Sequence, residues 1–153
     1  IIMFGWSYGG YASLIAAART PQIYQCVIAG ASFPDPIMQV NYYRNRLDGG
    51  STAAKEQLNM WLKSMSPIEH AAEVNIPILI VHGDVDQRTP PKAVRKYIKA
   101  LKKYNKNHKA VWLKDADHFS DTLFFRHKLE FYSEVEKYIK NDCFKSTKEQ
   151  VEG

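Results

Sequence analysis

At 153 residues the chain has room for one domain with a core of its own. Hydrophobic residues make up 45% and charged residues 24%, the balance of a soluble globular protein, and no apolar run approaches the roughly 20 residues that a membrane-spanning helix needs. Much of the excess behind the net charge of +5 lies between Lys92 and Lys109, and without an arginine or aromatic pattern beside it that stretch reads as a solvated face, not a nucleic-acid surface.

Ile1 to Phe4 is a short apolar run of the kind a buried parallel strand presents. Ser7 leads into YGGYASLIAAART, whose alanines favour a helix that stops near Arg19-Thr20-Pro21. Gln25 to Ala31 reads as a second buried strand. Ser32 to Leu47, with Pro34, Pro36, Tyr42 and Tyr43, reads as irregular and aromatic. Ser51 to Ser64 looks helical, with Leu58, Trp61 and Leu62 on one side, and SPIEHAAEVN connects it onward. Ile76 to Asp84 is the clearest strand in the chain. Thr89 and Pro90 cap and open the lysine-rich helix, whose apolar face is Val94, Tyr97, Ile98, Leu101 and Tyr104. Ala110 to Lys114 forms a last strand, DADHF a polar loop, and Leu123 to Ile139 a helix with Phe125, Leu129, Tyr132, Val135 and Ile139 on one face.

Residues 1–142 therefore read as the domain and 143–153 as a polar tail. Cys26 heads an apolar run and reads as core. Two cysteines are too few for a disulfide scaffold, lack metal-ligand spacing and leave the compartment open. Position 1 is Ile and sits inside a strand pattern, so the chain is expected to be the C-terminal part of a longer protein.

Strands alternating with helices predict an α/β fold with a parallel sheet, in which ligands bind beyond the carboxyl ends of the strands. Ser7 is the first residue so placed, in Gly5-Trp6-Ser7-Tyr8-Gly9-Gly10. A sharp strand-to-helix turn would hold it strained and exposed, with Gly5 and Gly9 avoiding collisions and the Tyr8 amide aimed at a developing oxyanion. A serine hydroxyl needs a base, and a carboxylate to orient that base. Of five histidines, His82 ends a strand and reads as structural, His70 and His127 fall in helical segments, and His108 in a lysine-rich loop. His118 alone follows the last strand in a short polar loop and is the expected base. Asp84 and Asp86 both stand between the serine and this histidine, Asp84 placed to brace the turn and Asp86 farther out over the sheet edge.

Three stretches, GWSYGG, SPIEHAAEVNIPILIVHGDVDQRTP and DADHF, resemble the C-terminal part of the catalytic domain of the prolyl oligopeptidase family of serine peptidases. The resemblance implies the C-terminal half of an α/β-hydrolase fold. It also implies a triad of Ser7, Asp86 and His118, with Asp86 rather than Asp84 as the carboxylate, and Tyr8 as an oxyanion donor. It suggests that Arg88 binds a substrate carbonyl, although an exposed ion pair would account for it equally. Met38 and Tyr43 fall where the family lines its substrate pocket, or Tyr42 and Tyr43 simply cover the core. Thr89 stands where valine is usual, next to the substrate side, and Phe119 where glycine is common.

No metal or organic cofactor is implied. The expected partners are a short peptide substrate, the upstream strands of the catalytic domain and, in many relatives, a β-propeller domain. A carboxylesterase with the same triad is the alternative, as is a catalytically incompetent fragment that self-associates. An Ile1 to Phe4 edge without its neighbouring strand would seek a partner, with a homodimer as one outcome.

Overall fold

The computed structural model describes residues 1–44 and 52–144, with the side chains of residues 52–54 and 121–122 left aside. Four parallel strands, β1 (Ile2–Trp6), β2 (Cys26–Gly30), β3 (Ile78–Gly83) and β4 (His108–Leu113), lie in the order β1-β2-β3-β4. The helices are α1 (Tyr8–Arg19), α2 (Pro36–Arg44), α3 (Thr52–Ser64), α4 (Pro91–Lys103), α5 (Ser120–Leu123) and α6 (Phe125–Asn141), with a 3₁₀ turn at Ala71–Glu73.

The two central strands show why the sheet has cover on both faces. Every residue of β2 and β3 is buried, and side chains of a strand alternate between faces. Val27, Ala29, Ile78 and Ile80 pack with Leu14 and Ala17 of α1 and Val94, Tyr97 and Leu101 of α4. Cys26, Ile28, Leu79 and Val81 face the other way, against Phe131 and Tyr138 of α6. In this order of strands, the loops that leave the carboxyl ends of β1, β3 and β4 converge on one side.

Several elements differ from the sequence reading. Pro34 and Pro36 made 32–47 look irregular, yet Pro36 opens α2. The Asp35 carboxylate accepts the Met38 amide hydrogen, so Asp35 caps a helix whose first position tolerates proline. Residues 45–47 of that stretch, position 51 of the following helix and the tail from 145 lie outside the described residues. The lysine-rich helix begins at Pro91, one residue later than expected, and Thr89 does not cap it. His108 opens β4 and is not in an exposed loop.

The inward face of α6 is the expected one only in part: Val135 and Ile139 pack against the core. His127, Phe131 and Tyr138 are buried, while Phe125, Leu129 and Tyr132 are 78%, 59% and 53% exposed. The helix is oriented by Phe131, which meets Trp6 edge-on at 5.1 Å, and by His127 Nε2, which donates to the Lys114 carbonyl at 3.0 Å.

Cys26 is core, as expected, but it is not a free thiol. It is bonded to Cys143, 117 residues away, with 5.3 Å between the Cα atoms. Cys143, assigned by sequence to the polar tail, is fully buried, so the packed part of the chain reaches at least one residue past 142. Among the described residues no helix is long and apolar enough to cross a membrane.

Candidate active site

The turn from β1 into α1 puts Ser7 at φ 56° and ψ −115°, a backbone conformation that L-residues rarely adopt. Two bonds hold it there. The Ser7 amide donates to the Gly30 carbonyl at 2.9 Å, and the Ser7 carbonyl accepts the Tyr11 amide hydrogen at 3.0 Å. The close packing explains the glycines. A Cβ at Gly5 would lie 2.1 Å from the Gly9 carbonyl oxygen, and one at Gly10 would lie 2.4 Å from the Gly30 carbonyl oxygen. Gly9 itself has open space around it, so the second glycine that avoids a collision is Gly10. The turn leaves the Tyr8 amide at the first position of α1, at the positive end of the helix dipole.

His118 comes from the loop after β4. Its Nε2 lies 2.9 Å from Ser7 Oγ and its Nδ1 lies 2.8 Å from Asp86 Oδ2. A carboxylate can only accept, so Nδ1 carries the hydrogen and Nε2 presents a lone pair to the serine hydroxyl. The indole N–H of Trp6 donates to the His118 carbonyl at 3.2 Å, tying the histidine loop to β1.

Asp86 belongs to the loop after β3 and is buried. Its Oδ1 accepts the amide hydrogens of Arg88 and Thr89, each at 2.8 Å, which fixes the carboxylate plane. Burial pushes the Asp86 carboxyl up. The hydrogen bonds from His118 and the Thr89 amide, with the nearby imidazoles, outweigh it and leave the group below its ordinary value. It therefore remains ionised through the neutral range. Asp84 is turned away, its Oδ1 accepting the Asp115 amide hydrogen at 2.7 Å, and so joins the β3 and β4 loops.

His82 is fully buried, and burial lowers its pKa. It is neutral at pH 7, with Nε2–H donating to the Thr89 carbonyl at 2.8 Å. That bond pins the far end of the Asp86 loop. A strand-terminal histidine could be read from sequence as structural, but its partner could not.

Arg88 and His118 line one cavity of about 510 Å³ together with Val85, Gln87, Asp117 and Phe119. The Arg88 guanidinium lies 4.9 Å from the centre of the Phe119 ring. Its carbonyl accepts hydrogen bonds from Tyr43 Oη at 2.9 Å and from Gln39 Nε2 at 2.6 Å. Tyr43 thus supports Arg88 through its backbone. Met38 faces a separate cavity of about 580 Å³, lined also by Tyr42, Pro90 and Lys96, and does not join the serine. Thr89 is only 3% exposed, with its hydroxyl among Asp86, Ala31 and His118, so it offers no surface to a substrate.

Tyr11 and Phe33 were not singled out from the sequence. They stack 4.9 Å apart, and the Tyr8 ring packs beside both, making an aromatic wall at the start of α1. Tyr11 faces this wall because it lies three residues beyond Tyr8 on α1, an interval that brings helix side chains together. Among the described residues no three His, Cys, Asp or Glu side chains are grouped as a metal would need.

The sequence profile of the prolyl oligopeptidase family matches residues 1–146. The chain belongs to the prolyl oligopeptidase family. Among its relatives, dipeptidyl peptidase family member 2 of Caenorhabditis elegans is 31% identical over 95% of this chain. Human prolyl endopeptidase FAP is 28% identical over 94% of it. The chain spans only 17% and 18% of the lengths of these two relatives. The solved structure of the acylaminoacyl peptidase of Pyrococcus horikoshii superimposes with a TM-score of 0.80 at 19% identity, over 94% of this chain and 24% of that one. That likeness speaks to the fold, and the parallel sheet and helices described above have the α/β-hydrolase fold.

Proposed function

We propose that this prolyl oligopeptidase family chain carries the nucleophile, base and orienting carboxylate of a serine peptidase acting on short peptides. The observation that carries the reading is the unbroken hydrogen-bonded line from Ser7 through His118 to Asp86, built on a strained residue at a strand-to-helix turn. Ser7 Oγ attacks the peptide carbonyl carbon while His118 Nε2 takes its proton. The Tyr8 N–H stabilises the oxyanion that forms. As the C–N bond breaks, His118 returns the proton to the leaving amine, and an acyl group remains on Ser7. Water, deprotonated by the same nitrogen, then cleaves the acyl ester. Asp86 keeps the ring in the right tautomer and balances its charge when it is protonated. A second oxyanion donor and the upstream strands come from outside these 153 residues, with a β-propeller domain as the expected further partner.

A fluorophosphonate tests this in the intact protein. It should label Ser7, with labelling lost in Ser7→Ala and strongly slowed in His118→Ala. A folded protein that resists the reagent, or one still labelled after Ser7→Ala, would overturn the assignment.

Arg88 shares the cavity with His118 and is proposed to bind a substrate carbonyl. Arg88→Ala should then depress kcat/KM for a peptide amide by about tenfold, the scale of one hydrogen bond to a charged group. A small acyl ester that lacks the carbonyl should be spared. Equal losses on both substrates would remove Arg88 from the binding site.

A further inference from the structure

The Thr89 hydroxyl lies inside the triad without belonging to it. Its oxygen is 2.9 Å from Asp86 Oδ2, 3.1 Å from the Ala31 carbonyl oxygen and 3.3 Å from His118 Nδ1. A hydroxyl has one hydrogen to give. Two of its neighbours are acceptors, and one of these carries a negative charge. Thr89, Asp86 and His118 are all buried.

We propose that Thr89 is a positioning residue that donates its hydrogen to Asp86 Oδ2 and thereby regulates how strongly Asp86 holds His118. The inference rests on the peptidase reading for its consequence in catalysis, though not for its geometry. The anionic acceptor is also the nearer one, and hydrogen bonds to an ionised oxygen are roughly twice as strong as neutral ones. Asp86 then has four donors. The amides of Arg88 and Thr89 occupy Oδ1, while His118 Nδ1–H and the Thr89 hydroxyl share Oδ2. The hydroxyl withdraws part of the charge that would otherwise act on the imidazole alone. It does so from a fixed place, because the Thr89 backbone is held at both ends: its amide by Asp86 Oδ1 and its carbonyl by His82.

The side chain that removes the donor without changing shape is valine. In Thr89→Val the whole of Oδ2 is left to His118, so the Asp86–His118 bond shortens. Proton NMR of the protein reads this directly, since the His118 Nδ1 hydrogen resonates farther downfield as its bond to a carboxylate strengthens. We expect a downfield move in Thr89→Val and a return towards the parent position in Thr89→Ser, which restores the hydroxyl. Should the valine variant not fold, Thr89→Ala removes the same donor with less bulk and should show the same move. An unchanged resonance in a folded variant, with stability alone reduced, would overturn the proposal and make the hydroxyl a brace to Ala31. The resonance needs no turnover, so the proposal can fail while fluorophosphonate labelling of Ser7 succeeds, and the reverse.

Discussion

Asp86→Asn is expected to lower kcat in the intact protein by about 10⁴, and Ser7→Ala or His118→Ala by about 10⁴ to 10⁶, as for removal of a triad member in other serine hydrolases. The size of the Asp86 effect comes from tautomer control. An asparagine keeps the volume and the two backbone contacts at Oδ1, but its amide nitrogen would then stand 2.8 Å from His118 Nδ1 where an acceptor is required. If the amide is reversed to face Nδ1 with its oxygen, its nitrogen meets the amide hydrogens of Arg88 and Thr89. Either way one set of hydrogen bonds is lost, and in the first case Nδ1 gives up its hydrogen and Nε2 no longer accepts from Ser7. Asp84→Asn should cost far less, because Asp84 accepts a single amide hydrogen from Asp115 and reaches neither His118 nor Ser7. Steady-state kinetics of the two variants on one peptide substrate decides the matter. A larger loss in Asp84→Asn than in Asp86→Asn would show that the wrong carboxylate has been assigned.

The parts that could be read from sequence share a physical cause. β2 and β3 are buried on both faces, so nothing interrupts their apolar runs, and their positions were evident to within two residues. The Ser7 turn announces itself because few residues other than glycine fit where backbones approach to the distances found at Gly5 and Gly10. What could not be read depends on contacts between distant residues. Apolar periodicity on α6 pointed to Phe125, Leu129, Tyr132, Val135 and Ile139; Val135 and Ile139 do pack on the core, but the first three are exposed and the helix buries His127, Phe131 and Tyr138 instead. A polar histidine bonded to the Lys114 carbonyl carries no weight in a hydrophobic pattern, yet it helps to set that rotation. At Thr89 the local signal was misleading. Thr-Pro reads as a helix cap, but the helix starts at Pro91 with Pro90 before it, and the Thr89 hydroxyl is turned to the buried Asp86 carboxylate instead. At α2 the local signal was present, in Asp35 followed by Pro36, and the prolines concealed it.

The second large effect is expected from the pair that no local pattern could join. Cys26 opens β2 in the middle of the sheet, and Cys143 stands just beyond the end of α6, fully buried. Their bond closes a loop with 117 residues of separation. Restricting the unfolded chain to that loop is worth about 4 to 5 kcal/mol in the chain-entropy account, so the paired variant Cys26→Ala/Cys143→Ala should lose about that much stability. For a domain of this size each kcal/mol moves Tm by about 2 to 4 °C, which places the expected fall near 10 to 15 °C. Alanine is the better replacement because serine would bury a hydroxyl beside Ile28 and Phe131. The loss should reach the active site as well. α6 presents Phe131 to the Trp6 ring, and the Trp6 indole holds the His118 carbonyl, so a loosened α6 removes support from the base. Thermal melts of the parent with and without a thiol reductant, beside melts of the paired variant, measure the effect. The reduced parent and the variant should melt together and well below the oxidised parent, with fluorophosphonate labelling of Ser7 lost over the same lower temperature range. Equal melting temperatures in all three would mean that packing of α6 against β2 and β3 holds the helix without the bond.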